Sequence, residues 1–156
     1  MILYHGTNVE FDKVELSKSR IAKDFGIGFY LTPDKHAAER QAQRKTEQWQ
    51  GGTPILQSYE WDENNASTLK ILRFDHFSED WAKFIFQNRS NRTRTQCHDY
   101  DIVIGPIADD TVGLQVRRFK DGIITMKQLI EEIKWHQVTI QYLFATEPAL
   151  KTLIRL

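Results

Sequence analysis

The sequence predicts an α+β fold in one domain spanning residues 1–156. Short runs rich in β-branched and aromatic residues are mixed with segments of helical period, without the strict strand–helix–strand repeat of a parallel sheet. The length suits a single core. No repeat, low-complexity segment or linker divides the chain. The one strong break, Gln50-Gly51-Gly52-Thr53-Pro54, reads as a loop between two elements.

Taken in order, residues 2–4 form a short opening strand. Residues 8–23 are polar and lack a period. Residues 26–31 are Gly-rich, then aromatic and apolar, which suits a turn entering a strand. Thr32-Pro33-Asp34 starts a helix, with Thr32 as N-cap and Pro33 at the first helical position, and the helix runs to about Trp49. Residues 55–61 and 69–74 read as strands. Residues 79–88 carry Trp81, Phe84 and Ile85 at helical spacing. Residues 102–104 are a short buried strand ended by Gly105-Pro106. Residues 126–135 are an amphipathic helix with Leu129, Ile130 and Ile133 on one face. Residues 138–144 are a strand and 147–154 a closing helix.

Lysine plus arginine equal aspartate plus glutamate at 21 each, so the formal net charge is zero. That argues against general nucleic-acid binding, which counterion release drives through a basic excess, and leaves a local basic patch open. A single cysteine, Cys97, forbids an intrachain disulfide and fits a reducing compartment. No apolar run reaches the roughly 18–20 residues of a membrane span. The start, Met-Ile-Leu-Tyr-His-Gly-Thr, lacks a basic then apolar leader pattern. These features predict a soluble cytoplasmic protein with no membrane partner.

Three segments bear chemistry. In Tyr4-His5-Gly6-Thr7, glycine lets backbone approach a ligand closely, and His5 offers one donor and one acceptor; alone, such a histidine could simply end a strand. In residues 24–32, Phe29 and Tyr30 point to opposite strand faces, so one can enter the core while the other lines a cleft and stacks on a flat ring. Alone, this segment is also a turn followed by core aromatics. The Asp24-Phe25-Gly26 triplet lacks the other kinase motifs, and Gly-x-Gly alone does not make a Rossmann turn. The third is Gln141, a polar residue in the last apolar strand, where an exposed strand position is the plain alternative.

Together, Tyr4-His5-Gly6-Thr7, the Gly26-Ile27-Gly28-Phe29-Tyr30-Leu31-Thr32 run and the strand bearing Gln141 resemble the three-part signature of the His–Tyr ADP-ribosyltransferases. The chain is closer still to a bacterial family of unknown function grouped with them. That resemblance rests on residues 24–32, Trp81 with Asn88-Arg89, residues 99–110 and residues 141–153.

The resemblance implies a split β-sheet core, NAD as substrate, and transfer of ADP-ribose to a protein or nucleic-acid acceptor. It also implies a small antitoxin-like partner. His5 would bind the adenosine ribose, Gly6 the nicotinamide amide through its backbone, and Thr7 the turn or ligand. Gly28 would lie against the cofactor, and Tyr30 would stack on nicotinamide. Gln41 stands where many relatives place a second aromatic, and Gln141 where the best-known ones place glutamate. An amide keeps the hydrogen bond but not the charge that stabilises an oxocarbenium-like transition state. A carboxylate would then come from Asp24, Asp109 or Asp110, although Asp24 could equally hold the glycine turn and Asp109 or Asp110 cap the next helix. Arg89, in the basic run 88–94, could pair with a pyrophosphate or an RNA phosphate, or face solvent. The alternatives to transfer are a binding module that keeps the fold without the catalysis, and an NAD glycohydrolase. Cys97-His98-Asp99 has the residue types of a triad, but sequence neighbours rarely converge in space. No zinc-like spacing is present, so no metal is expected.

Overall fold

A computed structural model describes residues 1–156 and is α+β, with two β-sheets and five α-helices. Strand β1 (Ile2–Thr7) pairs antiparallel with β3 (Ile55–Trp61), and β3 with β7 (Leu153–Arg155). The second sheet runs in the order β2 (Phe29–Leu31), β6 (Ile140–Phe144), β5 (Ile102–Pro106), β4 (Ile71–Arg73), with only β4 and β5 parallel. The two sheets touch through one bridge. Tyr4 N donates to Thr32 O at 2.8 Å and Thr32 N to Tyr4 O at 3.0 Å.

Alternation along the second sheet builds two cores. Phe29, Leu31, Ile102, Ile104, Tyr142 and Phe144 face the first sheet and meet Leu3, Tyr59 and Trp61. Val103 and Leu143 point the other way, into Phe25, Trp81, Ile85, Val112, Val116, Leu129 and Ile133. That second layer is supplied by α2 (Glu79–Ser90), α3 (Asp110–Lys120) and α4 (Met126–Ile133). Such side chains contribute about 1.5–3 kcal/mol each on burial.

Helix α1 (Lys35–Trp49) begins later than expected. Asp34, not Thr32, is its N-cap, accepting from Ala37 N at 3.0 Å. The Thr32 hydroxyl instead donates to Ile140 O at 2.9 Å and accepts from Asp34 N at 3.1 Å, so it ties β2 to β6. Strand β1 is longer than residues 2–4, since its pairing with β3 continues to Thr7. Strand β4 is shorter than residues 69–74, because Leu69 N closes a turn on Ala66 O. Gly105-Pro106 continue β5 rather than ending it, and α2 extends past Asn88. Helix α4 stops at Ile133, and β6 starts at Ile140 rather than 138.

The closing helix is also corrected. Only α5 (Glu147–Leu150) is helical, and β7 follows because its backbone pairs with Tyr59–Trp61. Trp61 Nε1 donates to Thr152 Oγ1 at 3.1 Å and pins that turn. No helix is long and apolar enough to cross a membrane.

Candidate active site

The bridge at Tyr4 and Thr32 brings the first two motifs side by side. His5 lies on β1 with its ring against Phe29, centroids 4.6 Å apart, and Phe11 closes its edge. Its Nδ1 sits 2.7 Å from Tyr30 O. A carbonyl oxygen only accepts, so Nδ1 carries the proton and Nε2 is left as an acceptor. Nε2 makes no hydrogen bond within the chain. Burial, reinforced by Lys45 and Lys23, pushes the His5 pKa down to about 3. The ring is neutral at physiological pH.

Phe29 and Tyr30 do face opposite ways: Phe29 enters the core between the sheets and Tyr30 packs towards the helical layer. The Tyr30 hydroxyl donates to Gly26 O at 2.7 Å and accepts from Phe25 N at 3.1 Å, which fixes the ring at the glycine turn. Burial first, and the Asp24 charge second, hold this phenol protonated. Its ring face is covered by Lys23 Nζ, 3.7 Å from the centroid.

Lys23 belongs to a cationic group that no sequence motif marks. Lys45, from α1, donates to Gly6 O at 2.7 Å, and Arg20 lies 4.5 Å over the Trp49 ring. No ion pair reaches any of the three. Burial, then the charge of Lys45, lowers Lys23 to about 7; burial, then Arg20, lowers Lys45 to about 8. Lys23 and Lys45 are half-buried and Arg20 is exposed; half-buried cations with no carboxylate in ion-pair range are stabilised by an anion brought from outside. No periodicity could have found them, because lysines in a polar stretch and on a helix face read as solvated.

Gln141 is buried, not exposed. Its Nε2 donates to Asp24 Oδ2 at 3.4 Å, while Arg89 Nε donates to Asp24 Oδ1 at 2.7 Å. The structure thus sets a carboxylate beside the amide of the third motif and fixes it with a guanidinium from α2. Asp109 and Asp110 do not join this group. Asp109 caps α3, accepting from Thr111 N and Val112 N, and Asp110 pairs with Arg44 at 3.6 Å.

Two glycines have roles other than open contact with a ligand. A Cβ at Gly6 would lie 1.9 Å from Ala38 O, so this glycine lets α1 sit against β1; its carbonyl is already held by Lys45. A Cβ at Gly28 would meet Leu143 Cδ1 at 2.3 Å, and both backbone polar groups of Gly28 are taken by Ser19 Oγ, at 2.9 and 3.0 Å. Gly28 is therefore a packing residue against β6. Gln96, also unforeseen, clamps the same turn through Ile27 N and O. Thr7 closes a local turn with Val9, and Gln41 is exposed on α1.

The Cys97-His98-Asp99 triplet does not assemble. His98 Nε2 is bound to Phe25 O at 2.8 Å, its Nδ1 accepts from Tyr100 N, and Asp99 pairs with Lys70. No three His, Cys, Asp or Glu side chains converge as a metal site.

The fold and site define an α+β domain of two abutting sheets whose junction brings together a neutral histidine, a fixed tyrosine and a carboxylate–amide pair. The chain belongs to a family described as proteins of unknown function (DUF3990), which it matches over residues 1–154. No curated protein and no solved structure matches it.

Proposed function

We propose that this chain is an NAD-dependent ADP-ribosyltransferase whose site is formed by His5, Tyr30 and Asp24. The observation that carries the reading is the pairing of Asp24 with Gln141. It returns to the third motif the negative charge that glutamine lacks.

In this reading His5 Nε2 accepts a ribose hydroxyl. Lys45, Lys23 and Arg20 meet the diphosphate. Tyr30 takes the nicotinamide ring once Lys23 leaves its face; an aromatic face that holds an ammonium suits the cationic ring of oxidised nicotinamide. The nicotinamide–ribose bond breaks with its electron pair going to the ring nitrogen, which releases neutral nicotinamide. Asp24 stabilises the oxocarbenium-like ribose, and a nucleophile on the acceptor adds and loses its proton.

The test is nicotinamide release from NAD by the purified chain, with cell lysate as acceptor, beside Tyr30→Ala and Asp24→Asn. Both variants are expected to lose activity, Asp24→Asn by about 100-fold or more, the scale of one electrostatic group in a preorganised site. Release that is unchanged in both variants removes the assigned site. If the wild-type chain binds NAD but releases nothing, the fold serves as a binding module instead. Free ADP-ribose without attached product would make water the acceptor.

A further inference from the structure

Beside Asp24 opens a cavity of about 350 Å³, lined not by His5 or Tyr30 but by Arg89, Arg92, Arg117, Lys120 and Phe86. Its walls come from the C-terminal ends of α2 and α3 and the residues just after α2. Four cations face one carboxylate in a chain whose formal net charge is zero. That carboxylate, Asp24, is already paired with Arg89 through Nε. Arg92, Arg117 and Lys120 form no ion pair. Helix C-termini favour basic side chains on their last turns, yet that effect, about 0.3–1 kcal/mol at an exposed site, does not require two helices to aim them into one hollow.

The chemistry narrows the ligand. Arg89 is held by Asp24 with its Nη atoms unbonded, a preset fork of the kind that takes two phosphate oxygens. Phe86 is 37% exposed at the cavity wall and packs at a steep angle against Phe119, centroids 5.7 Å apart, which leaves an aromatic side chain within reach of a bound base. Cations beside an accessible aromatic ring are the combination that tracks a single-stranded nucleic acid. The volume lies at the small end of ligand cavities, about 300–1,000 Å³, which suits a single nucleotide unit rather than the side of a duplex.

We propose that this cavity binds one phosphate and base of a single-stranded polynucleotide. Binding stands on the cavity's own residues; that the bound strand is the acceptor of ADP-ribose rests on the NAD reading above. Asp24 is shared by the two sites and would bring the strand to the reacting ribose.

The experiment is fluorescence anisotropy with a labelled single-stranded RNA of about 12 nucleotides, inside the usual site size. Wild type is compared with Arg92→Glu/Arg117→Glu and with the milder Arg92→Gln/Arg117→Gln, each checked by thermal melting. Both positions are exposed, so neither variant disturbs a core. Charge reversal is expected to weaken binding tenfold or more. Neutralisation should lower the slope of log affinity against log salt by about 0.7, the share of the one phosphate left without its cations. Wild-type failure to bind at low salt overturns the proposal, as does equal binding by both variants. Displacement by polyglutamate as effective as by unlabelled RNA overturns it in favour of an acidic protein ligand. Loss of NAD binding in the charge-reversed variant would reassign the cavity to the dinucleotide. Strand binding that persists while wild-type chain releases no nicotinamide would leave the cavity standing and remove only the NAD reading.

Discussion

His5 carries its proton on Nδ1 because the Tyr30 carbonyl can only accept, and the neutral ring is the form that fits. The cost appears in acid. The folded chain holds His5 near pKa 3, against an ordinary value of 6.5. Between those values the unfolded chain binds the extra proton, so this stability is complete above about 6.5 and is lost as pH falls towards 3. Replacing His5 with Gln should flatten the fall of the urea midpoint across that window, read as the difference between the two curves. Parallel curves would mean that His5 is not buried neutral. At this scale the sequence was partly legible. His5 and Tyr30 announced themselves by motif, whereas Asp24 became informative only when β6 brought Gln141 to it from 117 positions away. Lys23 and Lys45 were not legible, since nothing local marks a lysine whose charge will be left without a partner.

Helix α1 is seated by a backbone contact. Gly6 meets the Ala38 carbonyl so closely that no side-chain rotamer can relieve an added methyl. We expect Gly6→Ala to lift α1 from β1 and destabilise the fold by about 3 kcal/mol or more, the upper end of overpacking costs. Urea unfolding measures it. A midpoint within error of wild type would show that the helix can slide to accommodate the methyl. Lys45 would move with α1, so the same variant should also weaken NAD binding. Elements with a clear period, such as β3 and α2, could be read from sequence to within a residue or two. The end of the chain could not. Residues 153–155 continue an apparently helical stretch, and only the open edge of β3 turns them into a strand. The helix start was misplaced for a similar reason: Thr32 has a good capping side chain but is drawn into the junction between β2 and β6.

Across the whole molecule, charge is balanced in sum but not in place. Lys23 near 7 and Lys45 near 8 titrate around neutrality because burial penalises their charge and a neighbouring cation, Lys45 for Lys23 and Arg20 for Lys45, adds to it. An anionic ligand bound at this cluster raises both values, so it takes up protons, and its affinity falls as pH rises through about 7 to 8. Calorimetry of NAD binding in buffers of different ionisation enthalpy should show net proton uptake near pH 7.5, reduced in Lys23→Met. Heats independent of buffer would place the diphosphate elsewhere.

The ammonium resting on Tyr30 bears on which ligands can succeed. Any newcomer to that ring must first evict Lys23, forfeiting an attraction of about 1–2 kcal/mol. A small cationic aromatic offers the displaced lysine nothing and gains little. A molecule that brings a flat cation and an anion on one frame supplies the evicted charge with a new counterpart. On the proposed reading, the site would therefore work as a conjunction test, quiet towards either half alone and responsive to the two joined.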